Sequence, residues 1–520
     1  MEFYRLGLCL LLCSHPLLAE LYWSHIPEVG SVQLNELSSE QHDLLAEHLK
    51  LSAEETTEWL TELPELLDAL SCSTLDVQAQ ALPASIDASY KLVGYAGVLK
   101  LYADDKSKKT IWWLPWDLLA VLAQLKDQQT DLDQQMHQPL LITEQQLGIK
   151  GQLIIVSGSS NSSPLYFALE LRSLEQPELL WSVSSATLGF EDLAGAMAQP
   201  LLLQQATDKP ALPDLSLLLP NTAATEQRTL VYKVDLSTGT VQARLTTDQN
   251  VSMLSGAVTL YDHNRDSNAE SLIFSTKAGQ IWQAQMENNQ FYDVKAIADL
   301  SGLKFSDIQF IRTLYAAVPV GGSGSDFHSR RSQWLVLLGA LQQQNSVFVV
   351  LKQQDGQLSG SADLVDRTLP QTPELAVLTP QNWQQVQQKS GWYSQLTGRL
   401  THTPVVAAGV VYLTLLKQSA DHLCSLEQSF SALMALHLHH ASAVYRDPML
   451  PLDQATGALK VKANTQGGFA LIEQNRQQVL IENMLEISPD CTHCSKTIQR
   501  GSFPRWQLMG TYHSEEGAYE

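Results

Sequence analysis

Basic residues are scarce in this chain. Lys and Arg total 33 against 55 Asp and Glu, a formal charge of −22. That balance repels phosphate backbones and excludes nucleic acid as a partner. It suits a soluble exported protein and favours bound cations. Catalytic signatures are missing too. No Gly-x-Ser-x-Gly elbow, His-Glu-x-x-His pair or phosphate-cradling Gly loop occurs, so the chain reads as a non-enzyme. The Gly-rich "GGSGSDF" at 321–327 follows no clear strand-to-helix junction and reads as a loop. Beyond the N-terminus no apolar run is long enough for a membrane helix, which argues against an integral membrane protein.

The N-terminus, "MEFYRLGLCLLLCSHPLLAELYW", has a charged start at Arg5, an apolar run from Leu6 to Leu12 and a small residue at Ala19. This is a signal-peptide pattern over residues 1–19. An uncleaved anchor is the alternative, and a lipoprotein box is lacking around Cys9 and Cys13. Export leaves four cysteines: Cys72, Cys424, Cys491 and Cys494. An oxidising compartment permits disulfides. The "CTHC" of Cys491 and Cys494 favours a local bridge, leaving Cys72 and Cys424 to pair. It is followed by Ser495 rather than His, so it is no haem attachment site. Two-Cys zinc pieces completed by His493, or by His437, His439 and His440 of "HLHH", stand as the weaker reading. For those three histidines a surface role is favoured over a ligand role, with an i, i+3 pair able to share a helix face.

Residues 20–85 are expected to form a small helical N-terminal extension. "LSAEETTEWL" carries a capping box, Ser52 with Glu55. Leu60, Leu63, Leu66, Leu67 and Leu70 follow at helical spacing, and Pro64 starts or kinks a turn. From about residue 86 to 450 the texture changes to strand pairs around short turns. "KLVGYAGVLKLYADDKSKKTIWWLP", "SPLYFALELRSLEQPELLWSV", "TLVYKVDLSTGTVQARL" and "SLIFSTKAGQIWQAQM" recur at blade-like spacing, followed by "WLVLLGALQQQNSVFVVLKQQ" and "TPVVAAGVVYLTLL". Such units bury both faces only by stacking on neighbours. The expected fold class is all-β: a quinoprotein-like β-propeller of about seven blades, with 451–520 closing or flanking it. "PWDLLAVLAQL" is the helical exception. Pro115 can open it, and Leu118, Leu119, Val121, Leu122 and Leu125 give it an apolar face.

One loop carries chemistry. "LYDHNRDSNAESLIFSTKAGQIW", residues 260–282, places an oxygen-bearing side chain at every second position: Asp262, Asn264, Asp266, Asn268 and Glu270. Calcium takes about six to eight hard oxygens in flexible geometry. Asp262, Asn264 and Asp266 would wrap an ion, continued by the carbonyl of Asn268 and by Glu270. The three carboxylates would repel one another without a cation. Ser267 stands where a helix-loop-helix calcium hand has Gly, and Ile273 where it has a bidentate Glu. Both fit a loop that enters a strand. A solvated polar turn between blades is the alternative.

The strand region resembles the C-terminal β-propeller of the PilY family of type IV pilus biogenesis factors and tip adhesins. "YAGVLKLYADDKSKKTIWWLPWDLLAVLAQL" is similar to its opening blade, and "LIIVSGSSNSSPLYFALELRSLEQPELLWSV" to the next. "YDHNRDSNAESLIFSTKAGQIW" is similar to its calcium loop. "SGWYSQLTGRLTHTPVVAAGVVYLTLLKQSADHLC" is similar to a late segment. Together they span about residues 90–450. The opening "YAGVLKLYA" lacks the family's usual Asp and His, and the long N-terminal half of many members has no counterpart. The resemblance implies an exported protein of the periplasm, cell surface or pilus tip. It implies calcium as cofactor, minor pilins or other pilus components as partners, and a host or surface receptor as a further one. The role implied is pilus assembly, control of extension and retraction, or adhesion. Two other readings share the propeller: a quinoprotein-like dehydrogenase, suggested by the Trp and "VDLSTGTV" cues but lacking an adjacent Cys-Cys pair, and an outer-membrane assembly scaffold.

Overall fold

The computed structural model describes residues 21–481, apart from short internal stretches, together with 512–513; the longest omitted stretches are 71–78, 126–138, 206–213, 320–329, 369–384 and 418–429. The expected leader at 1–19 and all four candidate disulfide cysteines, Cys72, Cys424, Cys491 and Cys494, lie outside the described residues.

Strand pairs expected from apolar alternation form where the alternation is. "KLVGYAGVLKLYA" becomes the hairpin of Tyr90–Tyr95 and Val98–Ala103, and "QIWQAQM" falls within Gln280–Glu287. The strands assemble, largely in chain order, into seven sheets. The fourth runs antiparallel through Leu254–Tyr261, Ser271–Thr276, Gln280–Glu287 and Gln290–Asp299. The fifth is built on a long hairpin, Asp307–Pro319 with Arg330–Gln342, continued by Asn345–Lys352 and Gly391–Gln395.

Period-2 alternation sends successive side chains to opposite faces, and each face packs on the next sheet. Leu92, Leu99 and Trp113 of the first sheet meet Ile155, Phe167 and Leu169 of the second. Ile154, Tyr166 and Trp181 of the second meet Leu217, Tyr232 and Val234 of the third. The pattern repeats from third to fourth, fourth to fifth, fifth to sixth and sixth to seventh. Two tryptophans pin these junctions. Trp181 Nε1 donates to the Leu236 carbonyl at 2.8 Å, in the turn that ends the strand Val231–Asp235. A Cβ on Gly239 of that turn would strike the Trp181 ring at 2.7 Å. Trp392 Nε1 of the fifth sheet donates likewise to Leu438 O of the sixth at 2.9 Å.

The first sheet's other face differs. It packs on three helices, α1 (Ser39–Leu49), α2 (Ala53–Leu70) and α3 (Trp116–Leu125). Tyr22, Val93, Val98 and Trp112 meet Leu45, Leu49, Trp59, Leu63, Leu67, Leu118 and Leu122 there. α2 has the expected box: Ser52 N–H donates to Glu55 Oε2 at 2.8 Å and Glu55 N–H to Ser52 Oγ at 3.3 Å. Pro64 lies inside that helix. Among the described residues no core cluster joins the seventh sheet to the first. The expected ring of about seven blades is therefore seen as seven stacked sheets without closure, because helices occupy the face that a closing blade would cover.

Two expected boundaries change. The extension expected to be helical over 20–85 begins with strands, Leu21–Ile26 and Gly30–Gln33, which belong to the first sheet. "LYWSHI" buries alternate residues, Tyr22, Ser24 and Ile26, a strand period that its apolar composition hides. At the other end, Met449–Leu452 straddles the expected boundary as a strand of the sixth sheet, and Leu459–Ala463, Phe469–Glu473 and Val479–Ile481 make the seventh. No described helix is long and apolar enough to cross a membrane.

Candidate metal centre

The loop between Leu254–Tyr261 and Ser271–Thr276 is anchored where the strands part. Glu270 N–H donates to Tyr261 O at 3.1 Å, and Glu270 O accepts from Met286 N–H at 2.7 Å. Beyond that anchor the acidic and amide side chains fold the loop on itself. Asp262 Oδ1 accepts from Arg265 N–H at 2.5 Å, Asn264 Oδ1 from Asp266 N–H at 2.8 Å, and Asp266 Oδ1 from Asn268 N–H at 2.7 Å. Glu270 Oε2 reaches back across the loop to His263 N–H at 2.6 Å. Each bond satisfies a backbone donor that the turn strips of a ladder partner. Arg265 takes the left-handed conformation, φ 63°, that lets the chain reverse.

The outcome is a convergence of charge. Asp262, Asp266 and Glu270 each offer an oxygen, and these oxygens all lie within 4.8 Å of one another. Glu270 Oε1 is buried with no hydrogen-bond partner. A buried carboxylate oxygen without a donor is strongly disfavoured. Nor does the adjacent cation fill the gap. Arg265 sits between Asp262 and Asp266 in sequence but forms no ion pair among the described residues. Its guanidinium lies over the Tyr315 ring in the next sheet, 4.5 Å from the centroid. Three converging carboxylates, with one Glu270 oxygen left without a donor, fit a calcium-type ion.

Of the five expected ligands, the structure brings together Asp262, Asp266 and Glu270. Asn264 is tied to Asp266 through both ends of its amide, Oδ1 to the backbone and Nδ2 to Asp266 Oδ2 at 3.1 Å. It braces a ligand at least as much as it offers an oxygen. Asn268 is half-buried beside the cluster, its N–H held by Asp266. Sequence reading missed the loop's outer supports. Trp334 Nε1 donates to His263 O at 3.4 Å, and the Tyr261 hydroxyl bonds His263 Nδ1 at 3.0 Å. The contact between Trp334 and Tyr261 is edge-on, with centroids 5.0 Å apart. Trp334 lies far along the chain from the loop, and no local pattern links them.

The "HLHH" histidines are not on a helix, and all three are half-buried. His437 ends the strand Phe430–His437, and the chain then turns so that the His437 and His440 rings pack with centroids 4.5 Å apart. Arg367 Nε donates to His440 O at 3.0 Å. Burial pushes His437 down to about 4, and burial, with His437, His439 and Arg367 beside it, holds His440 well below its ordinary value. The segment serves as the turn that receives Trp392. Among the described residues it joins no three-ligand group.

No protein-family model matches this sequence, and no curated protein matches it. Among solved structures, the chain is similar to the crystal structure of the Pseudomonas aeruginosa PilY1 C-terminal domain. The match covers 75% of this chain and 92% of that one, with a TM-score of 0.50 and 13% identity. At that identity the likeness is one of architecture: this chain has a mostly β fold similar to that of the PilY1 C-terminal domain.

Proposed function

We propose that this protein is an exported calcium-binding protein of the type IV pilus system. In this reading it acts in pilus assembly, in the control of extension and retraction, or in surface adhesion, with minor pilins or other pilus components as partners. The observation that carries the reading is the carboxylate cluster of Asp262, Asp266 and Glu270, with Arg265 turned away from it, on a fold similar to a pilus-named protein. The protein's own contribution is a fixed frame: Asp262, Asp266 and Glu270 hold the ion, and the loop's backbone bonds set their spacing. A bound ion supplies charge neutralisation and holds the loop. Its binding biases two arrangements of the surface only by its difference in affinity for them. Calcium titration calorimetry on the purified protein tests the site. A strain deleted for the gene tests the role, with loss of surface pili or of twitching motility expected. Asp262→Ala with Asp266→Ala should alter piliation while the protein is still made and exported. Normal piliation and twitching in a strain lacking this gene and its related propeller genes would refute the pilus assignment.

A further inference from the structure

The ion loop is not an isolated turn. Three contacts tie it to the long hairpin of the fifth sheet. Arg265 stacks on Tyr315, 4.5 Å from the ring centroid. Trp334 Nε1 donates to His263 O at 3.4 Å. Thr313 Oγ1 donates to Leu260 O at 2.8 Å, at the foot of the loop. Tyr315 and Trp334 face each other on paired strands, directly in register, with ring centroids 5.3 Å apart at 64°. Tyr261 completes the group from the fourth sheet, edge-on to Trp334. Two of the loop's residues therefore face two ways. His263 gives its N–H to the ion-side carboxylate of Glu270 and its carbonyl to Trp334. Arg265 gives its N–H to Asp262 and its guanidinium to Tyr315.

From this arrangement we infer that Arg265 and Trp334 are positioning residues that couple cation binding to the fifth-sheet hairpin, Asp307–Pro319 with Arg330–Gln342. The inference rests on the calcium reading of the loop. Drawing Asp262 and Glu270 onto an ion fixes the peptide groups of His263 and Arg265, and these carry the contacts to Trp334 and Tyr315. Coupling of this kind is reciprocal: what holds the hairpin also holds the ion. A cation–π contact at a solvent-facing site corresponds to about a two- to fivefold change in affinity.

The test uses the full chain, calcium alone as the probe, and two readouts. Calorimetry reports ion binding. Hydrogen exchange reports protection of the strands 307–319 and 330–342. In the wild type, calcium should slow exchange in both strands. In Arg265→Ala, calcium should still bind, about two- to fivefold more weakly, and the gain in hairpin protection should shrink or vanish. Trp334→Phe, which keeps the ring and loses the indole donor, should show the same uncoupling. Arg265→Lys should restore part of it. If calcium binds the wild type but hairpin exchange is unchanged, or if Arg265→Ala and Trp334→Phe respond as the wild type does, the coupling is overturned and the ion site stands. If calcium does not bind the wild type, the ion site and the coupling both fall.

Discussion

Replacing Glu270 with Gln should make the protein more stable without calcium and less stable with it. Asp262, Asp266 and Glu270 hold three oxygens within 4.8 Å of one another. Two unit charges at that separation repel by about 0.9 kcal/mol in water-like surroundings and about 3.5 kcal/mol at an effective dielectric near 20. The Glu270 side chain takes part in two such pairs. Glu270→Gln removes both and can keep the bond from His263 N–H, which Oε2 now accepts at 2.6 Å. Its new amide N–H stands where Oε1 is buried without a partner, and can donate to Asp262 or Asp266. In chelator the variant should therefore gain roughly 1–2 kcal/mol, the lower end of the Coulomb range. In calcium at about a hundred times its dissociation constant, the wild type gains about 2.7 kcal/mol by mass action and the variant little. The order of the two proteins should invert between buffers. Denaturant midpoints followed by near-UV circular dichroism, in chelator and in millimolar calcium, read this directly. A variant less stable than wild type in chelator, with an undiminished calcium shift, would refute the idea that these carboxylates are held together for a cation.

Three further outcomes follow from the packing and the buried histidines. At Gly391 (φ 155°) an added Cβ would run into the Val350 carbonyl, so Gly391→Ala should cost at least ~2 kcal/mol; an unchanged urea midpoint would contradict the register of Gly391–Gln395. Trp181→Ala should lose about 3–5 kcal/mol, and Trp181→Phe, missing the bond to Leu236, about 1–2 kcal/mol; a Trp181→Phe variant as stable as the wild type would mean the hydrogen bond contributes nothing. Burial depresses His402 and His437 to about 4 from 6.5, so the unfolded chain takes up these protons first. They leave stability unchanged above pH 6.5 and lower it as pH falls towards 4, by up to roughly 1 kcal/mol per pH unit for each. His402→Gln should flatten that slope in a pH series of melting temperatures, and an unaltered slope would remove His402 from the account.

Much of the fold could be read in advance because its units are local. A strand pair with a short turn declares itself by period and turn residues, so "SLIFSTKAGQIW" was legible as a hairpin. The acidic loop's shape was legible for the same reason: its oxygen-bearing side chains alternate along one short turn, and the turn brings Asp262, Asp266 and Glu270 together. What escaped depends on distant partners. "LYWSHI" reads as apolar sequence near a leader until Ile111–Trp113 is there to pair with it in parallel. Trp334 and Tyr315 support the loop across a sheet interface, which no spacing records. His437 and His440 look like a helix-face pair by spacing, yet the turn that receives Trp392 packs their rings on each other, half-buried. The relation of last sheet to first is likewise long-range, and helices that could have been a loose appendage instead pack on the first sheet.

Serial stacking has a consequence for how this molecule can fail and change. Each sheet shares a core with its neighbours in the series and little else, so its stability behaves as a chain of nearest-neighbour terms. A lesion in the third sheet should loosen the second and fourth and leave the sixth intact, giving stepwise melting rather than one transition. Among the described residues the first and last sheets answer to a different rule from the inner ones, since each shares a core with a single sheet. At the start of the series that vulnerability is met by α1, α2 and α3, whose leucines and Trp59 seal the exposed side of the first sheet. An array of this kind should tolerate gain or loss of an internal unit, because among the described residues no shared core ties the seventh sheet back to the first.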